Sequence, residues 1–251
     1  MRQSSIQRIL DLIPDDATVL DIGGWGRPFP RADWVVDLMP YESRGVYGDE
    51  TPDPERFTPA TWIQRDICDR EPFPFANKSI DFVTCSHTLE DIRDPIWVCQ
   101  EMQRIAHAGY IETPSRLEEQ TAGVQGPWVG WAHHRWLVDV RDDRLEFVFK
   151  HHVICGRETD HFPVGFLDGV AEDDRTLAFW WADSFECVER VFLDAEELDP
   201  YLEDFVAAEM GKRSIHRRTT TKRHSIRALL RPALGPFGSR RRALLDAVRR
   251  A

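Results

Sequence analysis

A glycine-rich turn directly after a short apolar run constrains the fold of this chain more than any other feature. Residues 18–22 have the composition of a buried strand, and Gly23, Gly24 and Gly26 follow at once. Glycines in that position let a backbone approach a ligand closely and adopt turn dihedrals that other residues adopt only at a cost. The arrangement predicts a first strand that ends at a binding site.

An acidic residue closes the next apolar run. Residues 34–38 predict a second strand, and Asp37 lies near its end, sixteen residues after Asp21. A carboxylate there can accept hydrogen bonds from both hydroxyls of a ribose. The two features together predict a nucleoside-containing ligand. A dinucleotide is less favoured, because residues 23–26 do not complete a GxGxxG motif.

The first half of the chain alternates short β-rich runs with helices or long connections. Strands are predicted over residues 18–22, 34–38, 62–67, 80–86 and 109–113. Helical spacing of apolar residues precedes the first and the fifth of them: Ile6, Ile9, Leu10 and Ile13, and Val98, Met102, Ile105 and Ala106. This alternation predicts an α/β fold around a mostly parallel sheet. The first two strands are separated only by residues 24–33, which include Pro28 and Pro30, so a loop or a shortened helix is expected there.

The pattern changes after Pro114. Residues 136–140 and 145–150 flank a short polar turn and predict a hairpin inserted into the α/β pattern. A second hairpin is predicted from residues 177–181 and 185–192. As a late antiparallel pair, it suits the edge of the sheet.

Basic residues are concentrated at the end of the chain. The net charge is −11, yet residues 212–251 hold 13 Lys or Arg against the single acid Asp246 and contribute +12. The first 211 residues therefore carry −23, which argues against a nucleic-acid-binding surface on the body of the protein. We expect one domain over residues 1–211 and a basic appendage over 212–251. That appendage would dock on the acidic body, on a second subunit or on an anionic surface.

Four motifs follow one another in order between Thr18 and Val140. They are Val19-Leu20-Asp21-Ile22-Gly23-Gly24, then Asp66-Ile67-Cys68-Asp69 with Pro72-Phe73-Pro74-Phe75, then the run from Ser79 to Asp91, and finally Gly109-Tyr110-Ile111-Glu112-Thr113-Pro114. In their order and spacing the chain resembles the class I S-adenosylmethionine-dependent methyltransferases, in particular the bacterial methyltransferase type 11-like group. The resemblance covers about half of the chain. It implies a doubly wound, Rossmann-like sheet of seven mostly parallel strands with an antiparallel edge hairpin, and S-adenosyl-L-methionine as the cofactor.

The resemblance also implies a set of cofactor contacts at the strand ends. Gly23 and Gly24 would contact the methionine part of the cofactor, and Asp37 the ribose. Asp66 and Ile67 would contact the adenine, and Ser86 and His87 would lie under the sulfonium. Asp21 and Trp25 flank the two glycines and complete the expected cofactor-binding set.

The acceptor is expected to contact residues 130–136, which interleave imidazoles with aromatic rings. Methyl transfer is an in-line displacement that needs alignment, plus a base if the nucleophile is a hydroxyl. His133 and His134, together with His87, are the candidate catalytic residues, because imidazole titrates near neutral pH and indole faces suit sugar rings. The alternative is that one or both of the adjacent imidazoles only hold the base of the hairpin by hydrogen bonds.

Other polar clusters predict less chemistry. The acidic pairs at residues 90–91 and 118–119 are interpreted as solvated charges, although either could place a carboxylate at the mouth of the acceptor site. His151 and His152 would point to opposite faces of a strand, so with Asp160 and His161 they do not predict a metal site. The five scattered cysteines lack CxxC pairs and predict reduced, mostly buried thiols. No metal is expected.

These features favour a methyltransferase that acts on a hydroxyl of a small-molecule or oligosaccharide acceptor, such as a sugar, a polysaccharide precursor or a secondary metabolite. Residues 111–117 and 133–136 resemble those of bacterial enzymes of such pathways, with mycobacterial-type methylmannoside O-methyltransferases as one specific likeness. A nucleic-acid methyltransferase and a non-catalytic cofactor-binding module stay as alternatives. The acidic body and the lack of an Asn/Asp-Pro-Pro-Tyr/Phe-like motif after the fourth strand argue against nucleic acid as a partner.

The chain has no apolar run of about eighteen residues and no signal-peptide pattern at its start. A cytoplasmic protein without a transmembrane segment is therefore expected. Self-association to a homo-oligomer is left open.

Overall fold

The computed structural model of the protein describes residues 1–48, 54–219 and 244–249. The elements in chain order are α1 Gln3–Leu12, β1 Val19–Ile22, β2 Trp34–Asp37, β3 Trp62–Gln64, β4 Ile80–Ser86, α2 Pro95–Ile105, β5 Ala106–Pro114, α3 Arg116–Glu119, β6 Trp136–Arg141, β7 Arg144–Phe149, β8 Thr176–Ala182, β9 Glu186–Glu189 and α4 Ala195–Thr219. Residues 244–249 are also helical.

A six-stranded sheet with the order β3-β2-β1-β4-β5-β8 forms the centre of the described chain. The first five strands are parallel and β8 is antiparallel to β5. The expected seventh strand is not part of this sheet. The order reverses direction beside β1, where the register aligns Ile22 with Val36 of β2 and Cys85 of β4. In doubly wound folds ligands bind at such a switch point, outside the carboxyl ends of the strands.

The late edge hairpin is absent from the described residues. The inserted hairpin forms as expected from β6 and β7, but β9 pairs in parallel with β7 instead of turning back on β8. Leu145 and Phe147 of β7 are fully buried, and β9 brings Cys187 against their apolar cluster. Asp183, at φ 65°, lies in the connection through which the chain leaves β8. Strand pairing here follows burial and not sequence proximity.

Both faces of the central sheet are covered by helices. Amphipathic α2 places Val98, Met102 and Ile105 in the apolar cluster on one face, whereas Ile9 of α1 belongs to the cluster on the other. Residues 23–33, between β1 and β2, contain no helix, so of the two expected forms, a loop and a shortened helix, the loop is present.

The helical residues 244–249 belong to the α1 side of the molecule. Leu244 and Val248 are 4% and 2% exposed and pack in the same cluster as Ile9. The predicted boundary between residues 211 and 212 falls inside the continuous helix α4. Residues 220–243 and 250–251 of the expected appendage lie outside the described residues. None of the helices in the described part of the chain combines the length and the apolar character that a membrane crossing needs.

Candidate active site

A cavity of about 690 Å³ opens at the carboxyl ends of β1, β2 and β4. Seven of the nine predicted cofactor-binding residues line it: Gly23, Trp25, Asp37, Asp66, Ile67, Ser86 and His87. The fold therefore brings together, at one edge of the sheet, residues that are up to 64 positions apart in the sequence.

Asp21 and Gly24 are not among the lining residues. The Asp21 carboxylate is buried and accepts hydrogen bonds from the Thr84 hydroxyl at 2.7 Å and from the Phe29 N–H at 2.9 Å. Burial raises the pKa of Asp21 to about 6, although these two hydrogen bonds oppose the rise. A Cβ at position 24 would overlap the Asp21 carboxylate. The glycine lets the turn fold over this acid, so Asp21 and Gly24 shape the turn from behind.

Asp37 lies in the wall at the end of β2 and is 7% exposed. Its Oδ2 accepts the N–H of Trp25 at 3.0 Å and its Oδ1 accepts the N–H of Met39 at 2.8 Å. Burial raises the pKa of Asp37 and the backbone hydrogen bonds oppose that rise. The two carboxylate oxygens together have about four acceptor sites, so acceptor capacity remains for a ligand hydroxyl.

Asp66 and Ile67 form a second part of the wall. The Asp66 carboxylate accepts the N–H of Cys68 at 2.9 Å and lies 2.7 Å from a guanidinium nitrogen of Arg93. The hydrogen bond from Cys68, followed by Arg93, lowers the pKa of Asp66. Ile67 offers an apolar surface beside an ionised acceptor. This pairing suits the flat ring and exocyclic amino group of a purine.

Glu112, at the end of β5, is a fully buried site residue that the sequence analysis did not single out. Its carboxylate accepts the N–H of Arg2 at 3.0 Å, the Ser86 hydroxyl at 3.2 Å and the Tyr110 hydroxyl, and lies 3.2 Å from His87 Nε2. Burial would raise the pKa of Glu112, but hydrogen bonds led by that from His87, together with positive charge nearby, lower it to about 2. The sequence feature that could have identified Glu112 as a site residue is its position at the end of a predicted strand, in the fourth motif.

His87 is held in an unusual backbone conformation, with φ of 52°, a region that non-glycine residues seldom adopt. Burial would lower its pKa, but Glu112 and Glu90 attract the charged ring and raise the pKa to about 9. The ring is therefore a cation near neutral pH. It acts there as a hydrogen-bond donor and cannot accept a proton from an acceptor hydroxyl.

The predicted acceptor histidines lie behind Asp91, which lines the cavity. The Nε2 atoms of His133 and His134 lie 3.8 Å and 3.7 Å from Asp91 Oδ1. The backbone positions them, because the carbonyl of Glu90 accepts the N–H groups of Arg135 at 2.7 Å and Trp136 at 3.1 Å. Neither histidine itself lines the cavity.

His134 is fixed by a buried ion-pair chain. Its Nδ1 lies 2.5 Å from Glu119 Oε1, and Lys150 Nζ lies 2.6 Å from the other oxygen of Glu119. Burial would lower the pKa of His134, but the contact with Glu119 raises it above the usual value. The side chains of His134, Glu119 and Lys150 are at most 7% exposed. This chain gives the ring one orientation and directs Nε2 towards Asp91.

The acidic pairs differ from their interpretation as solvated charges. Glu90 and Glu119 are each 1% exposed, whereas Asp91 and Glu118 reach the cavity. Long-range packing buries one member of each pair, which sequence spacing cannot show.

The other clusters remain apart from the cavity. His151 and His152 are exposed, while Asp160 is fully buried. All five cysteines are free thiols, and three of them are buried: Cys68, Cys85 and Cys99.

A known protein family matches the segment of the chain that contributes several of the cavity-lining residues. Residues 36–111 match the family model of the methyltransferase domain, Methyltransf_11, and this match supports S-adenosyl-L-methionine as the cofactor. No curated protein matches the chain in sequence.

Several solved structures are similar in part. A methyltransferase from Mesorhizobium loti that depends on S-adenosylmethionine shares 14% identity over 59% of this chain and 64% of its own, with a TM-score of 0.34. A second one, from Thermotoga maritima, shares 16% identity over 47% of this chain and 52% of its own, with a TM-score of 0.33. A chain solved in complex with the Trm112 methyltransferase activator of Haloferax volcanii shares 13% identity over 73% of this chain and 94% of its own, with a TM-score of 0.37. This chain thus spans less than two thirds of the first two relatives.

Proposed function

We propose that this protein is a class I methyltransferase that transfers the methyl group of S-adenosylmethionine to a hydroxyl of a sugar, a polysaccharide precursor or a secondary metabolite. One observation carries the proposal: a single cavity extends from the buried carboxylate of Asp37 to Asp91, in front of His133 and His134. A cofactor and an acceptor in one cavity can meet without leaving it.

The residues present suit the cofactor. Asp37 has free acceptor sites for the ribose hydroxyls, and Asp66 with Ile67 offers an acceptor and an apolar wall for the adenine. At position 23, φ is 75° and a Cβ would overlap Thr88, so only glycine lets the backbone line the cavity there. When bound, the cofactor supplies an electrophilic methyl group on a sulfonium.

An acceptor hydroxyl must lose its proton as its oxygen attacks the methyl carbon. His87 is protonated near neutral pH, so we assign it to orientation by hydrogen bonding and not to proton removal. Asp91, backed by His133 and His134, is the group that faces the cavity and can draw off the proton. Trp131 lies beside both histidine rings, and its indole N–H donates to Glu118 in the cavity wall, so we assign its apolar face to contact with a sugar ring.

The test is methyl transfer from labelled S-adenosylmethionine to a panel of oligosaccharides and small polyols, each paired with an analogue whose hydroxyls are already methylated. Label in the unblocked members alone, located on oxygen by mass spectrometry, is the expected result. Cofactor binding without transfer to any acceptor would support the non-catalytic module instead. Transfer to DNA or RNA would support the nucleic-acid alternative.

A substitution of His133 tests whether the acceptor reacts at this end of the cavity. His133→Ala removes an exposed ring at the acceptor end and is expected to lower turnover by about 10²–10⁴-fold while cofactor affinity stays unchanged. His151→Ala removes an exposed ring away from the cavity and serves as the matched control. Equal turnover in both variants between pH 6 and 9 would reject the assignment of His133.

A further inference from the structure

We infer that Asp91, His133 and His134 bind a divalent transition-metal ion, with Zn²⁺ as the best match, at the acceptor end of the cavity. Sequence analysis expected no metal, since no ligand spacing is recognisable in the chain. In the structure, one ligand atom from each of the three residues lies within 4.8 Å of the other two.

The spacing of the ligand atoms is near that of a coordination sphere. The two Nε2 atoms lie 3.8 Å and 3.7 Å from Asp91 Oδ1. Tetrahedral Zn²⁺ with bonds of about 2.0–2.2 Å holds its ligand atoms about 3.4 Å apart. The two Asp91–histidine separations therefore need to close by only a few tenths of an ångström. The His133 and His134 rings pack edge-to-face with centroids 4.5 Å apart.

The three atoms are free for coordination. Asp91 Oδ1 is buried, and no hydrogen-bond donor in the described chain reaches it. Glu119 contacts Nδ1 of His134, so Nε2 is the ring nitrogen directed at Asp91. A carboxylate on the far nitrogen is the arrangement that orients metal-binding histidines in proteins. Lys150 holds that carboxylate in turn.

A buried carboxylate beside these atoms is a second observation in favour of a cation. Glu90 is 1% exposed, and neither of its oxygens accepts a hydrogen bond from any described residue. One oxygen lies 3.5 Å from His87 Nδ1, and Glu90 directly precedes Asp91 in the chain. A buried carboxylate without hydrogen-bond donors is costly, and a bound metal ion would add to the stabilisation that the half-exposed His87 ring supplies.

The donor set selects the kind of ion. Two imidazole nitrogens and one carboxylate oxygen suit Zn²⁺ and its first-row neighbours, whereas Mg²⁺ and Ca²⁺ prefer oxygen ligands alone. Three protein ligands leave a fourth position open, as in catalytic zinc sites. Asp91 lines the cavity, so the site lies directly behind the cavity wall.

The role of the ion, unlike the site itself, rests on the proposed function. With an ion bound, Asp91 would act as its ligand and no longer as the base. An acceptor hydroxyl at the open position would lose its proton to solvent more readily, because the cation lowers its pKa. The oxygen then bonds to the methyl carbon. The electron pair of the broken sulfur–methyl bond stays on sulfur in the neutral thioether product.

The experiment is calorimetric titration of chelator-treated, desalted protein with Zn²⁺, with Co²⁺ absorption as a second readout of coordination. We expect one ion per chain for the natural sequence and a loss of affinity of at least about 10-fold in His133→Ala and in Asp91→Asn. His152→Ala, which removes an exposed ring from the other adjacent pair, is the matched control and should bind as before. The Co²⁺ spectrum should change in the first two variants and not in the control.

Absence of Zn²⁺ binding to the natural sequence at millimolar metal, or an equal loss in His152→Ala, would overturn the site. Cofactor affinity and methyl transfer are measured on the same samples with and without chelator. Zn²⁺ binding with chelator-resistant transfer would overturn only the role of the ion. Zn²⁺ binding without transfer to any acceptor would count against the proposed function and leave the site intact.

Discussion

The two ends of the cavity are built in different ways. At the cofactor end, Asp37 and Asp66 accept backbone N–H groups from residues 2 to 12 positions away in the sequence. At the acceptor end, the chain of side-chain contacts from His134 through Glu119 to Lys150 joins positions 15 and 31 apart, and all three groups are buried. The first end is fixed by local backbone geometry. The second depends on correct packing of the segment between β5 and β7.

Glu119→Gln tests this difference most strongly. The change leaves the His134 ring and the Lys150 ammonium without their shared buried carboxylate, so we expect the free energy of unfolding to fall by about 3–5 kcal/mol. Denaturant unfolding at pH 7 measures the loss. Cofactor affinity, measured by calorimetry on the folded variant, should not change.

Glu118→Gln is the matched control, because Glu118 lines the cavity and accepts a single hydrogen bond, from Trp131 at 2.8 Å. It should cost about 1 kcal/mol. Equal losses in the two variants would show that the acceptor end does not depend on the buried ion pairs.

The helix at residues 244–249 extends the comparison to a third region that is far from both ends in sequence. Leu244→Ala removes a buried side chain that packs in the cluster of Ile9, and we expect a loss of about 2–4 kcal/mol in unfolding free energy. Leu245→Ala, at a half-buried neighbouring position, should cost less. A loss confined to Leu245→Ala would contradict the described docking.

The domain boundary at residue 211 stays a proposal that truncation can sharpen. A chain that ends at Gly211 is expected to bind the cofactor with a loss of stability or self-association. The part of that loss due to attraction between the basic tail and the acidic body should lessen as salt screens it, whereas the part due to the packing of Leu244 and Val248 should remain. Failure to fold at every salt concentration would place the tail within the core.

Asp37→Ala tests the cofactor end. Loss of the carboxylate that is proposed to bind the ribose hydroxyls should weaken cofactor binding by about 1–3 kcal/mol, or roughly 5- to 150-fold. Calorimetry with S-adenosylmethionine and its demethylated product measures the effect, and Asp11→Ala, on the exposed face of α1, is the control. Identical affinity in the two variants would remove Asp37 from the site.

The smallest expected effect is the pH dependence of the stability that the ion pair between His87 and Glu112 contributes; this pair lies between the two ends of the cavity. The pKa of Glu112 is lowered from 4.5 to about 2, so its stabilisation is present above pH 4.5 and is lost as pH falls towards 2. The pKa of His87 is raised from 6.5 to about 9, so its stabilisation is complete below pH 6.5 and is lost as pH rises through 9.

His87→Gln isolates the alkaline limb. Because the His87 ring is nearly half exposed, we expect the variant to be less stable by only about 1 kcal/mol near pH 6, with the difference vanishing above pH 9. Unfolding free energies measured from pH 5 to 10 test this. A difference that persists unchanged at pH 10 would mean that the ring acts by packing and not by charge.

Much of the cofactor end was predictable because its signals are short in sequence. The strand Ile80–Ser86 was predicted to the residue, and a loop between β1 and β2 was one of the two forms expected from Pro28 and Pro30. Asp21 shows the limit even there. Its position in the motif was correct, but whether its carboxylate faced a ligand or the back of the turn depended on Thr84, 63 residues later.

The sequence by itself determined the α/β class, the strand ends that carry Gly23, Asp37 and Ser86, and the inserted hairpin, because apolar period and turn chemistry are local properties. Tertiary structure alone decided that β9 joins β7, that Glu90 and Glu119 are buried, and that two adjacent histidines meet Asp91. Such contacts join segments tens of residues apart. The segments that pair are those whose apolar surfaces and opposite charges can be buried together. A short stretch of sequence does not contain both partners, so it cannot predict the pairing.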